Sequence, residues 1–127
     1  MKDSFKYIDK EIRPWGVFYI IADEKNYKIK RIEVNTGARL SYQYHIGRSE
    51  LWLIIEGKAK VTINGVDKYY NVGDNVTIPV KSKHRVENDS NEKLIFIEIQ
   101  YGQYFDEDDI YRIQDDYSRI KWKRKQL

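Results

Sequence analysis

The chain has 127 residues with 23 basic and 20 acidic side chains, a formal net charge of +3, and no cysteine. That length suits one compact domain with a real core. The missing cysteines exclude disulfides and thiolate metal sites, and the mixed charges exclude the basic stripe of a nucleic-acid binder. No window has the unbroken apolar run of a membrane span, and Met1-Lys2-Asp3-Ser4 lacks the apolar core of a secretory signal. The expectation is a cytoplasmic protein without nucleic-acid or membrane partners.

Aromatic and β-branched residues are abundant, and 11 residues are tyrosine, which leans the composition toward strands. In chain order, Tyr7–Ile12 is compatible with a helix or an extended arm. Short apolar or alternating runs then recur at Val17–Ile21, Tyr27–Val34, Leu40–Ile46, Leu51–Glu56, Ala59–Ile63, Val66–Tyr70, Asn75–Ile78, His84–Glu87 and Leu94–Gln100. Asn64-Gly65 separates two of them, the strongest short-range hairpin signal, and Gly37, Gly57 and Gly73 mark other corners. Regular short strands punctuated this way predict a β-sandwich or barrel. Asp106–Asp109 precedes Ile110, Tyr111 and Ile113, and either begins a short helix or belongs to an extended arm. The basic run Lys121-Trp122-Lys123-Arg124-Lys125 reads as a solvated terminus. One domain over 1–119 and a tail over 120–127 are expected.

The only histidines are His45 and His84. Strand alternation puts Arg39, Ser41, Gln43 and His45 on one face, and Glu50 opens the next strand after a turn at Gly47. Such a polar face is costly to bury without a partner, and a bound cation supplies one. Imidazole, carboxylate and amide donors suit Mn, Fe, Co, Ni or Zn. Leu51, Leu53 and Ile55 alternate with Trp52 and Ile54, so both faces of that strand are expected to be covered, by a second subunit in a homodimer or by the terminal arms. Trp15 and Trp52 read as core or dimer-contact aromatics.

The spacing is more specific than the residue types. Gly37 is followed by five residues, Gln43-X-His45, four residues, Glu50, six residues and Gly57; later come Gly73, five residues and Pro79, then His84, three residues and Asn88. This resembles the two motifs of the cupin superfamily, although Lys81 stands where the pattern has glycine. The resemblance implies a double-stranded β-helix, or jelly-roll barrel, here with short terminal arms. It also implies that Gln43, His45, Glu50 and His84 converge on one divalent ion.

A narrower resemblance spans nearly the whole chain. Arg13-Pro14-Trp15-Gly16, Lys30-Arg31-Ile32, Gly37-Ala38-Arg39-Leu40-Ser41, Lys83-His84-Arg85, Ile97-Glu98-Ile99-Gln100, Glu107-Asp108-Asp109-Ile110 and Asp116-Tyr117-Ser118-Arg119 look like type II phosphomannose isomerase domains. Those domains often form the C-terminal part of a bifunctional enzyme with mannose-1-phosphate guanylyltransferase. The resemblance implies interconversion of mannose 6-phosphate and fructose 6-phosphate by a stand-alone module. One departure stands out: three family histidines are replaced by Ile46, Gly47 and Leu51, while His45, Arg48, Glu50 and Trp52 remain.

Isomerisation needs a cation to stabilise an enediol and a base to move a proton. Arg48 is the expected catalytic or charge-stabilising residue. Its guanidinium is too weakly acidic to lose a proton and act as a free base. The base stays open among a carboxylate, a lysine, a tyrosine or metal-bound hydroxide. Arg39 and Lys83 are expected to clamp the phosphate, Glu98 and Gln100 to line the pocket, and Arg85 to point away from the metal toward an outward salt bridge. The competing readings are another cupin enzyme of nucleotide-sugar metabolism, a non-catalytic sugar- or sugar-nucleotide-binding cupin, and a metal-dependent dioxygenase.

Overall fold

The computed structural model describes residues 5–104 and 106–117; the basic tail at 120–127, and Ser118-Arg119 before it, lie outside the described residues. Eleven strands form among the described residues: β1 Asp9–Arg13, β2 Gly16–Asp23, β3 Tyr27–Val34, β4 Tyr42–Tyr44, β5 Arg48–Glu56, β6 Ala59–Ile63, β7 Val66–Tyr70, β8 Asn75–Ile78, β9 His84–Glu87, β10 Leu94–Gly102 and β11 Tyr111–Gln114. One sheet has the order β1-β2-β3-β10-β5-β8 and the other β11-β4-β9-β6-β7, with antiparallel pairings throughout. This is the expected all-β jelly roll, a double-stranded β-helix. No helix among the described residues is long and apolar enough to cross a membrane.

Local sequence explains the corners. Asn64 and Gly65 have φ of 47° and 83°, the left-handed pair that a two-residue hairpin needs, and they join Ile63 to Val66 in register. Gly57 has φ of 84°, and a Cβ there would lie 2.4 Å from the Lys93 carbonyl oxygen, so the corner after β5 admits only glycine. Asn88 is fully buried, and its amide donates to the carbonyls of Val34 and Glu92, tying the loop after β9 to β3.

The barrel has an apolar end and a polar end, and three neighbouring strands switch together. Reading across β3, β10 and β5, Val34 pairs with Leu94, and Ile32 with Phe96 and Ile54. The next rows are Lys30–Glu98–Trp52 and Lys28–Gln100–Glu50. Side chains two apart share a face, so the inward surface passes from hydrocarbon to charge within two rows. The apolar rows, with Trp15, Phe18, Ala59, Val61, Val76, Ile78 and Val86, form the core. The polar rows build the site.

The open choice at 106–114 resolves as an extended arm: β11 pairs with β4. The N-terminal segment likewise forms β1 on the edge of β2. Both arms take up free backbone groups at sheet edges and so lengthen the sheets without covering the outer face of β5. Leu53 and Ile55 accordingly remain 41% and 45% exposed within the chain, so of the two covers expected for that face the described parts of the terminal arms do not supply one.

Candidate metal centre

At the polar end, His45 follows β4, Glu50 faces inward from β5, and His84 opens β9. Their ligand atoms all lie within 4.8 Å of one another, and all three residues are buried. Gln43 lines the same cavity and sits directly across the strand pair from His84. Each imidazole is aimed by its Nδ1, which donates to a backbone carbonyl: Asp109 for His45 at 2.7 Å, and Ser82 for His84 at 2.9 Å. That leaves each Nε2 facing Glu50, at 3.1 Å from His45 and 4.0 Å from His84. Orienting a histidine through its other nitrogen in this way is the usual support of a metal ligand.

Electrostatics match the geometry. Burial opposes ionisation of Glu50. His45 beside it and the Arg48 guanidinium outweigh that cost and hold the carboxyl well below its ordinary value. Burial pushes His84 down to about 4, so its lone pair is free at neutral pH. Trp52 Nε1 donates to Glu50 Oε1 at 2.9 Å, and Arg48 Nε donates to Glu50 Oε2 at the same distance.

A cavity of about 150 Å³ opens over the cluster. Its wall carries five cations, Arg13, Lys30, Arg48, Arg85 and Arg112, against three carboxylates, Glu50, Glu98 and Glu107, so its balance is positive. Lys30 pairs with Glu107 at 2.7 Å, and its ammonium lies over the Phe18 ring. Burial, then the Glu50 carboxylate, pushes Glu98 up to about 7.

Of the residues expected to bind substrate, Glu98 lines the cavity. Gln100 lies beneath it, fully buried, donating to Glu98 Oε2 at 2.6 Å. Arg39 and Lys83 are not on the cavity wall. The β11 arm brings Asp116 beside Arg39, which holds it in a two-pronged pair at 2.7 and 2.9 Å outside the cavity. Alternation fails as a guide there because Arg39 lies outside β4, in an isolated bridge to Glu87. Lys83 borders a separate surface groove with Tyr44 and Ile46. Arg85, expected to face outward, lines the cavity instead, donating to the Leu40 carbonyl and the Gln114 side chain at 2.9 Å each.

Arg13, Lys30 and Arg112 are cavity cations to which the sequence reading gave no site role, although Arg13 and Lys30 fall in the motifs that carry the family resemblance; they come from three separate strands. Asp109 was also missed. It is buried, and both its carboxylate oxygens accept from the turn amides of Ile46 and Gly47, while its carbonyl orients His45. Gly47 itself lies under Tyr104, where a Cβ would come within 2.7 Å of the Tyr104 Cβ. A histidine at this position would collide, so glycine here goes with the packing of Tyr104 and Asp109 against the turn.

The fold is shared with solved structures. The capsular polysaccharide assembling protein CapF from Staphylococcus aureus superposes with a TM-score of 0.73 at 20% identity, covering 87% of this chain and 35% of CapF. A Klebsiella pneumoniae protein with a double-stranded β-helix domain gives 0.68 at 16% identity, covering 81% of this chain and 92% of that one. Curated sequences come closer. The mannose-1-phosphate guanylyltransferase ManC of Salmonella typhimurium is 40% identical over 85% of this chain and 22% of its own length. The alginate biosynthesis protein AlgA of Pseudomonas aeruginosa is 40% identical over 84% of this chain and 22% of its own. The chain thus spans about a fifth of the length of these relatives. The relatives bear the names of guanylyltransferases and polysaccharide-biosynthesis proteins, not of isomerases. This overturns the expected interconversion of mannose 6-phosphate and fructose 6-phosphate. Residues 2–115 match the family model described as mannose-6-phosphate isomerase C-terminal, and the chain belongs to that family.

Proposed function

We propose that this chain is a metal-binding cupin module of nucleotide-sugar metabolism that takes a sugar phosphate or a nucleotide sugar by its phosphate. The observation that carries this reading is the meeting of His45, Glu50 and His84 at the base of a cavity walled by an excess of cations. The donor set fits a borderline divalent ion. Both imidazoles are pre-aimed, and His45 Nε2 and Glu50 Oε2 lie only 3.1 Å apart. Two electron-rich atoms at that separation call for a proton or a cation between them. His45, Glu50 and His84 would hold the ion, with Gln43 beside them. When bound, it would supply positive charge that polarises a sugar oxygen.

Guanidinium groups are suited to phosphate oxygens, and Arg13, Arg85 and Arg112 offer three on the cavity wall. The enclosed volume is below the roughly 300–1,000 Å³ of sites that engulf a drug-sized ligand. The cavity therefore encloses one end of such a molecule and leaves the rest at the mouth. The names of the relatives, which include mannose-1-phosphate guanylyltransferases, support a mannose ligand.

Glu98 favours a second reading, in which the module catalyses a step. A cavity carboxyl held at about 7 gives and takes a proton at neutral pH. Titration calorimetry with mannose 1-phosphate and GDP-mannose, with cobalt or zinc present, separates the outcomes. Saturable binding that weakens at least about tenfold in Arg85→Ala supports the binding reading. Chemical conversion of a bound sugar that is lost in Glu98→Gln supports the enzymatic one. Absence of binding to any phosphorylated sugar sinks both.

A homodimer is proposed through the outer face of the six-stranded sheet, where Leu53, Ile55 and Tyr101 lie exposed on neighbouring strands.

A further inference from the structure

We infer that Arg48 is a built-in cation that competes with the divalent ion, so that metal binding at this centre is gated by displacement of its guanidinium. The inference rests on reading the His45–Glu50–His84 cluster as a cation site. Arg48 is 4% exposed, and one edge of its guanidinium spans two of the prospective ligand atoms. Its Nε donates to Glu50 Oε2 at 2.9 Å, and its Nη2 lies 3.3 Å from His45 Nε2.

The conflict lies at His45. Its Nδ1 carries a proton, because its partner among the described residues is the Asp109 carbonyl, which accepts and cannot donate. In the neutral ring Nε2 therefore has a single lone pair. That lone pair can accept the Arg48 N–H or bind a metal, and it cannot do both. Glu50 is less restrictive, since two oxygens offer several acceptor positions. Its Oε1 is nevertheless already taken up by the Trp52 indole and its Oε2 by Arg48. Ligand distances of about 2.0–2.2 Å would place a dication beside the guanidinium in a buried setting, where like charges repel strongly.

The guanidinium also has somewhere to go. Among the described residues its Nη1 is buried without a hydrogen-bond partner, so that group gains by moving. Arg48 shares the cavity wall with Glu98 and Glu107, two carboxylates outside the cluster that can receive a displaced cation. Without metal, the same guanidinium neutralises Glu50 and lets the cluster stay buried. Arg48 is thus a positioning residue whose hold on His45 and Glu50 sets how readily the ion enters.

The test uses the full chain stripped of metal with EDTA and desalted, titrated with zinc by calorimetry, as wild type, Arg48→Gln and Arg48→Ala, with His84→Ala as control. Losing one charge-assisted hydrogen bond corresponds to roughly tenfold or more in affinity. Both Arg48 variants are expected to bind zinc at least about tenfold more tightly than wild type, and zinc is expected to raise their Tm further. Circular dichroism confirms the fold. Equal or weaker zinc binding in folded Arg48 variants, beside clear wild-type binding lost in His84→Ala, overturns the gate and leaves the cation site standing. No zinc binding in any form overturns the site and the gate together. A wild-type readout covers variants that do not fold: the Arg48 Nε–H resonance, protected in the stripped protein, shifts or broadens when zinc is added. An unchanged resonance at saturating zinc refutes displacement.

Discussion

Replacing Glu98 with glutamine isolates the charge that the cavity holds most reluctantly. Glu98 is 6% exposed, and burial, then the neighbouring Glu50 carboxylate, raise its pKa from 4.5 to about 7 despite Lys30 and Arg48 nearby. A carboxyl raised on folding keeps its proton in the native state after the unfolded chain has lost it. Its contribution therefore favours folding less as pH rises from about 4.5, and the loss is complete above about 7. That interval corresponds to about 3 kcal/mol as an upper figure. Glutamine has the same shape and no charge, so the slope disappears. Urea unfolding followed by tryptophan fluorescence, with EDTA present, gives the stability of both proteins from about pH 5 to about pH 8. Only their difference is read, because His84 contributes an opposite slope: held at about 4, it costs stability as pH falls from 6.5. The variant is expected to gain on wild type by up to about 3 kcal/mol between the two ends. Two parallel curves would refute the placement of a reluctantly ionised carboxyl in this cavity.

Two further outcomes follow from the backbone and the outer surface. Gly57→Ala is expected to cost about 2–4 kcal/mol, because its φ of 84° is compounded by a Cβ 2.4 Å from the Lys93 oxygen. Gly65→Ala has φ of 83° with open space around it, so it is expected to cost only about 1–2 kcal/mol. Equal urea midpoints for the two variants would contradict the close approach. Leu53→Glu places a charge on the exposed face of β5, and light scattering is expected to show a wild-type dimer and a monomeric variant that keeps the wild-type circular dichroism. A wild type that scatters as a monomer removes the dimer.

The strands and the Asn64-Gly65 hairpin were legible along the chain, because alternation and turn signals are properties of consecutive residues. The jelly roll and the meeting of His45 and Glu50 with the distant His84 were implied by the resemblance to the cupin motifs. Arg39 shows where alternation stops: three residues before β4, its direction was set by Asp116, 77 positions away. The cavity cations Arg13, Lys30 and Arg112 come from three strands of two sheets, so no local period marks them as neighbours. Asp109 reads as one acid among four residues of an acidic run, and only the folding back of that segment puts its two oxygens on the turn after His45. The sequence alone determined where strands form and which charges they carry. Tertiary structure decided which of those charges meet, because register and arm docking bring together groups that the chain itself keeps far apart.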